Sequence, residues 1–164
     1  MRLPLSWLLV AGALVCAGFV WLGWPSHERT IRRQLQEVAE LLSFPANEPP
    51  LNALSEINRL CAHLTPDVEV RMDARGFGRR TVRGREEIRE GLMAYRQRFN
   101  GARVEFPDIR VEIGPDRTSA VVFLTVEARL PGESDVWLQE MKLWLRRDGR
   151  QWRIAQAETV QPLR

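Results

Sequence analysis

The stretch that decides the fold runs from Arg103 to Gln161, RVEFPDIRVEIGPDRTSAVVFLTVEARLPGESDVWLQEMKLWLRRDGRQWRIAQAETVQ. Apolar and β-branched residues recur in it with a period of two, which sets alternate side chains on opposite faces of extended chain. Three clusters of turn residues interrupt it: Gly114-Pro115-Asp116, Pro131-Gly132-Glu133 and Asp148-Gly149. Short Gly, Asp and Pro connections of this kind are hairpin chemistry. The stretch therefore predicts four strands, at about 103–113, 118–130, 135–146 and 151–161, joined as an antiparallel meander.

Upstream the period changes. Gly84 opens a helix with Ile88, Leu92, Tyr95 and Phe99 on one stripe, closed by Asn100-Gly101. Before it, Val68, Val70 and Met72 alternate with Glu69, Arg71 and Asp73 in a first strand, and Thr81-Val82-Arg83 is a short second one. Two more helices precede these strands. One runs from about Leu51 to Leu64, with Leu54, Ile57, Cys61 and Leu64 on one face. The other is capped by Ser26, carries Ile31, Leu35, Val38 and Leu42, and ends at Phe44-Pro45. Helices first and then mostly strands predict an α+β domain, a curved antiparallel sheet packed on three helices.

The N-terminal end is of another kind. Leu3 to Trp24 contains no charged residue and one hydroxyl, Ser6, in a chain of 164 residues that is 27% charged. At 1.5 Å per residue such a run spans a hydrocarbon core of roughly 30 Å, and Trp7, Trp21 and Trp24 fall toward its ends, where indoles favour the interface. It is too long for the apolar core of a cleaved signal peptide. The expected organisation is a transmembrane signal-anchor at 1–25 followed by a folded domain at 26–164, which makes this a single-pass membrane protein. Orientation is nearly balanced: Arg29, Arg32 and Arg33 favour a cytoplasmic domain, whereas the two-residue tail before the span favours an exported, periplasmic one, the slightly favoured side.

The remaining composition excludes several classes. Cys16 and Cys61 form no disulfide framework, one lying in the anchor and one in a helix. His27 and His63 stand far apart, so no metal-ligand spacing exists and no cofactor motif is present. The formal charge of +3 comes from 24 basic and 21 acidic residues, largely interleaved, and every basic residue but Lys142 is arginine. The densest basic run, Arg71 to Arg85 around Gly76-Phe77-Gly78, lacks the aromatic interleaving of a nucleic-acid surface, so no nucleic-acid partner is expected.

The order of elements resembles the nuclear transport factor 2-like superfamily, in its SnoaL-like and ketosteroid-isomerase-like branch. Three segments carry the resemblance: Leu64-Thr-Pro-Asp-Val68 at the helix-to-strand junction, Val82-Arg-Gly-Arg-Glu-Glu-Ile88 at the entry to the third helix, and Leu145-Arg-Arg-Asp-Gly-Arg-Gln-Trp-Arg-Ile154 in the last hairpin. The resemblance implies a cone-shaped sheet with a pocket between its concave face and the helices. It also implies that Asp73, ending the first strand, stands where ketosteroid-isomerase-like members place a general base. Gln156 and Glu158 match positions that often hold pocket histidines. The superfold itself hosts enzymes, binders and scaffolds alike.

A register for the last hairpin sharpens the pocket. With Arg147 opposite Arg150, Leu145 pairs with Trp152, Leu143 with Ile154, Met141 with Gln156, and Gln139 with Glu158. One face then runs from apolar residues into a polar patch, as a small-ligand site does. The expected ligand-binding residues are Gln139, Met141, Trp152, Gln156 and Glu158. Trp144, apolar among charges on the opposite face, predicts a weak homodimer. The leading expectation is a membrane-anchored module that binds a small apolar ligand without catalysis. The competing readings are an acid/base enzyme on a small apolar substrate and a bitopic scaffold resembling the inner-membrane component of type IV secretion.

Overall fold

The structure is a computed structural model that describes residues 27–74, 78–132 and 135–160. The expected anchor, residues 1–25, lies outside the described residues. Among the described residues no helix is long and apolar enough to cross a membrane.

The first helix, α1 (His27–Leu42), buries one stripe made of Ile31, Leu35, Val38, Ala39 and Leu41. Glu28, in its first turn, pairs with Arg32 at 2.9 Å and complements the positive end of the helix. Helix α2 (Pro50–Ala62) starts with proline at its first position, where a missing N–H costs nothing. Its buried residues are Ala53, Ile57, Leu60 and Cys61, so Leu54, expected inside, is partly exposed. Leu64 was expected on this helix and instead begins the first strand. The third helix, α3 (Arg85–Arg98), follows Gly84, whose φ of +82° suits glycine. Ile88 and Leu92 pack partly buried against the core, and no residue of α3 is fully buried.

The sheet comprises β1 (Leu64–Ala74), β2 (Gly78–Arg83), β3 (Arg103–Glu105), β4 (Ile109–Ile113), β5 (Ser119–Arg129), β6 (Trp137–Asp148) and β7 (Gln151–Thr159). Its order is β2-β1-β7-β6-β5-β3, with β4 also on β5. Three expectations are corrected here. The sheet is mixed rather than antiparallel, because β1 lies parallel to β7; turn residues report neighbouring strands only, and this pairing joins strands far apart in sequence. The expected strand at 103–113 is two strands, broken at Phe106-Pro107-Asp108, since Pro107 has no N–H for the ladder. The β6–β7 register also differs. Asp148 pairs with Gln151 across a two-residue turn and Leu145 with Ile154, but Trp144 pairs with Gln156 and Leu143 with Ala157. Ala155 is thus an extra residue in β7, a β-bulge that inverts the faces beyond it.

The inner face of the sheet holds the core. Ala120, Val122, Leu124, Leu143, Leu145, Trp152, Ile154 and Ala157 pack with Ile31, Leu35, Leu41, Leu60 and Val68. Helix α1 crosses this face from one end to the other. The His27 ring meets Trp152 edge-on at 5.7 Å, next to the β6–β7 turn, while Ser43 just past the helix accepts the Val104 amide at 2.9 Å. The two ends of the sheet are called below the Gly149 end and the Trp137 end.

A buried ion pair joins the helical layer. The side chain of Arg96 of α3 is 6% exposed and that of Glu48 of the α1–α2 linker 7%. Arg96 Nη1 donates to both Glu48 oxygens, at 2.6 and 2.5 Å, and to Glu56 of α2 at 3.0 Å. Its Nη2 donates to the Leu41 carbonyl at 2.6 Å, and the guanidinium lies 5.0 Å from the Phe44 ring centre. The end of α1, the linker and α2 therefore converge on one cation of α3. His63, at the C-cap of α2, stands 3.7 Å from Glu37 of α1. Burial holds its imidazole below the ordinary histidine pKa, with Glu37 pulling the other way.

Two outcomes follow for stability. Arg96→Met leaves Glu48 buried without its partner and costs about 3–5 kcal/mol in chemical denaturation, whereas the double change Arg96→Met/Glu48→Met costs much less; equal losses would contradict the ion-pair reading. The His63 pKa is lowered in the folded state, so below the unfolded value of about 6.5 the unfolded chain binds more protons. Stability from His63 is then complete above that pH and declines as pH falls toward the folded pKa. His63→Gln flattens that decline in thermal melts.

Candidate functional site

Strand alternation sorts the expected site residues onto two faces. On β6 the inner residues are Trp137, Gln139, Met141, Leu143 and Leu145; on β5 they are Ala120, Val122, Leu124, Val126 and Ala128. Thr159 of β7 lies opposite Met141, and its hydroxyl accepts the Asp73 amide at 2.9 Å, which places Met72 of β1 beside it. The inner face at the Trp137 end thus presents Met72, Gln139, Met141, Val126 and Trp137. Met72 is 40% exposed and Trp137 46%, and the neighbouring Val136 and Leu138 are exposed too. The Gln139 amide donates to the Val160 carbonyl at 3.3 Å, tying β6 to the end of β7.

Of the five expected ligand residues, Gln139 and Met141 are brought together there. Trp152 is 2% exposed in the closed core and offers a ligand no surface. Gln156 and Glu158, expected on the same inner face, stand on the outer one opposite Trp144 and Lys142, because the Ala155 bulge inverts β7 before them.

Asp73 is likewise on the outer face, alternating with Val70 and Met72. Arg79 of β2, its cross-strand partner, pairs with it at 3.4 Å. Its carboxylate therefore faces away from the space between the sheet and the helices. Glu69 is held below the usual carboxylate range by hydrogen bonds from Arg71 first and Arg83 second. The outer face is therefore an ionic and aromatic lattice. Lys142 lies 4.5 Å from the Trp144 ring and 5.5 Å from Phe123, with Arg110 over Phe123 at 5.3 Å. These cations roof Trp144, the ring that predicted a dimer surface, and Phe123 beside it.

Two other groups with chemical capability are buried in structural settings. Burial raises the Cys61 thiol pKa, opposed by Arg85 and Arg89. Burial also raises that of Tyr95, whose ring packs on Phe44 and Phe99 at 5.6 and 5.0 Å. Two open surface depressions, of about 490 and 340 Å³, lie between α1 and β3 and beside β4 and β5. Met141 lines the second together with Phe123 and Thr125. Sequence reasoning missed the exposed run Val136-Trp137-Leu138. Its signal was three consecutive apolar residues at the start of the expected 135–146 strand, which no alternation can bury on one face.

Comparisons with known proteins agree with this geometry. No curated protein matches the sequence. Among solved structures, a Nostoc punctiforme protein with a cystatin-like fold superposes with a TM-score of 0.62 at 15% identity, over 82% of this chain and 91% of that one. A Novosphingobium aromaticivorans protein provisionally named a scytalone dehydratase gives 0.62 at 21% identity, over 82% and 84%. The yeast UBP3-associated protein BRE5 gives 0.62 at 14%, over 82% and 95%. At such identities these likenesses speak for the fold alone, an α+β cone with a curved mixed sheet and three helices. The sequence profile of the SnoaL-like domain matches residues 54–154, more than half of the chain, and this protein belongs to that family.

Proposed function

We propose that this chain is a single-pass, membrane-anchored SnoaL-like module that binds a small apolar ligand at the Trp137 end of its inner sheet face, without chemistry on it. The observation that carries the reading is the pair of half-exposed apolar side chains, Met72 and Trp137, on the same face as Gln139 and Met141. A thioether, an indole and one amide are the walls and the hydrogen-bonding group of a small-molecule site. The enzyme reading asks for an acid or base on that face. A dehydratase of the kind named for the Novosphingobium relative needs one, yet Asp73 and Glu158 both stand on the other side. Any homodimer through the outer face is weak in this reading, because association has to lift Lys142 from Trp144. The anchor rests on the uncharged run Leu3–Trp24.

Two measurements test the two halves of the proposal. Melting the protein against a panel of small apolar aromatic compounds should find one that stabilises it, by about 2.7 kcal/mol at a hundredfold excess over Kd. Met72→Lys and Gln139→Ala should abolish that response, and its survival in both variants would place the site elsewhere. The full chain should resist carbonate extraction from membranes, and a version starting at Ser26 should stay in the supernatant. Carbonate release of the full chain would remove the anchor.

A further inference from the structure

The chain's formal charge of +3 is not spread evenly over the structure. Three segments meet at the Gly149 end: the first two turns of α1 (27–33), the β4–β5 turn (114–118) and the β6–β7 hairpin (146–153). His27 packs on Trp152, and the Arg147 amide donates to the Thr118 carbonyl at 2.8 Å. Together they hold eight arginines against three carboxylates, a net +5, which leaves the rest of the chain at −2. Six of these arginines are exposed: Arg29, Arg33, Arg117, Arg146, Arg147 and Arg150. The carboxylates are already engaged. Glu28 pairs with Arg32 at 2.9 Å and Asp148 with Arg153 at 3.3 Å. Asp116 accepts from the amides and hydroxyls of Thr118 and Ser119, which hold its pKa well below the usual range. Arg146 is shared with Asp67 at 3.0 Å.

We propose that the Gly149 end is a docking surface for the headgroups of anionic phospholipids. The proposal deepens the anchored-module reading and rests on it for direction. In the anchored-module reading only Pro25 and Ser26 separate the end of the span from His27, where α1 begins over Trp152. Two helical turns rise about 10 Å, so Arg29 and Arg33 stay within roughly one Debye length of the bilayer surface. The guanidinium fork matches phosphate oxygens, and each basic residue near an anionic leaflet strengthens attachment about fivefold. The other end is a poorer fit. Its Arg79, Arg103 and Arg129 are paired with Asp73, Glu105 and Glu127, and it lies where α1 finishes, away from His27. Docked this way, the domain turns its Met72 and Trp137 rim toward the aqueous side, where a ligand arrives.

The test uses the full chain in lipid nanodiscs of phosphatidylcholine alone and of phosphatidylcholine with one-third phosphatidylglycerol, followed by hydrogen exchange. The expected result is slower exchange at 114–118 and 147–151 in the anionic discs, reversed by high salt. It should be lost in the triple variant Arg117→Gln/Arg147→Gln/Arg150→Gln, whose exchange in the neutral discs stays that of the parent. Equal exchange in both discs, or protection confined to 136–138, would overturn the docking surface. Equal protection of the two turns by a short single-stranded DNA in neutral discs would assign them to polyanions at large and overturn it as well. Carbonate extraction reads the span alone and the phosphatidylglycerol dependence reads the arginine end alone, so the two readings fail separately.

Discussion

β7 is hydrogen-bonded on both edges, parallel to β1 and antiparallel to β6, and it carries one residue more than β6 between Ile154 and Gln156. The rest of the arrangement depends on that extra residue, Ala155. With an unbroken ladder, Gln156 and Glu158 would turn toward the helices and Ala157 away from them. A carboxylate buried there without a partner is among the costliest groups a core can hold. The bulge instead puts Ala157 on Leu143 inside and Glu158 beside Lys142 outside. β1 absorbs the same irregularity between Leu64 and Glu69, where Pro66 interrupts its pairing with β7. One inserted residue therefore sorts polar from apolar side chains along the central strand.

The helical layer is set by a different force. α3 has no fully buried residue, so apolar burial alone holds it weakly. Arg96 compensates by bonding the linker through Glu48, α2 through Glu56 and the end of α1 through the Leu41 carbonyl. Nearby, Gly101 has φ +103°, and a Cβ there would stand 3.2 Å from the Ala46 nitrogen, so the chain can pass close to the linker only as glycine. Position in this layer is thus fixed by ionic and steric contacts, which specify geometry more strongly than they add stability.

Much of the fold was legible in the sequence, and the limits have physical causes. Helical and two-residue periods found all three helices and most of the strands, because each element is periodic over its own length. The parallel β1–β7 pairing left no local trace. The break at Pro107 was visible as a residue without a donor, and weight given to it would have divided the strand. The candidate site suffered most from the register. Counting from Asp148-Gly149 sets the turn one residue early, which puts the pairing two residues off, and it has no means of seeing the bulge that turns Gln156 and Glu158 to the outer face. Gln139 and Met141 keep the inner facing expected of them because it is fixed from β5, through Val126 and Leu124. Asp73 was proposed from family resemblance, although its own alternation with Val70 and Met72 already set it on the outer face.

Cross-strand nuclear Overhauser effects read the inversion of β7 at Ala155 directly. The expected contacts link Leu145 to Ile154, Leu143 to Ala157 and Lys142 to Glu158, with Ala155 lacking a partner on β6. Contacts linking Leu143 to Gln156 and Met141 to Glu158, as in an unbroken ladder, would contradict it and return both polar residues to the inner face.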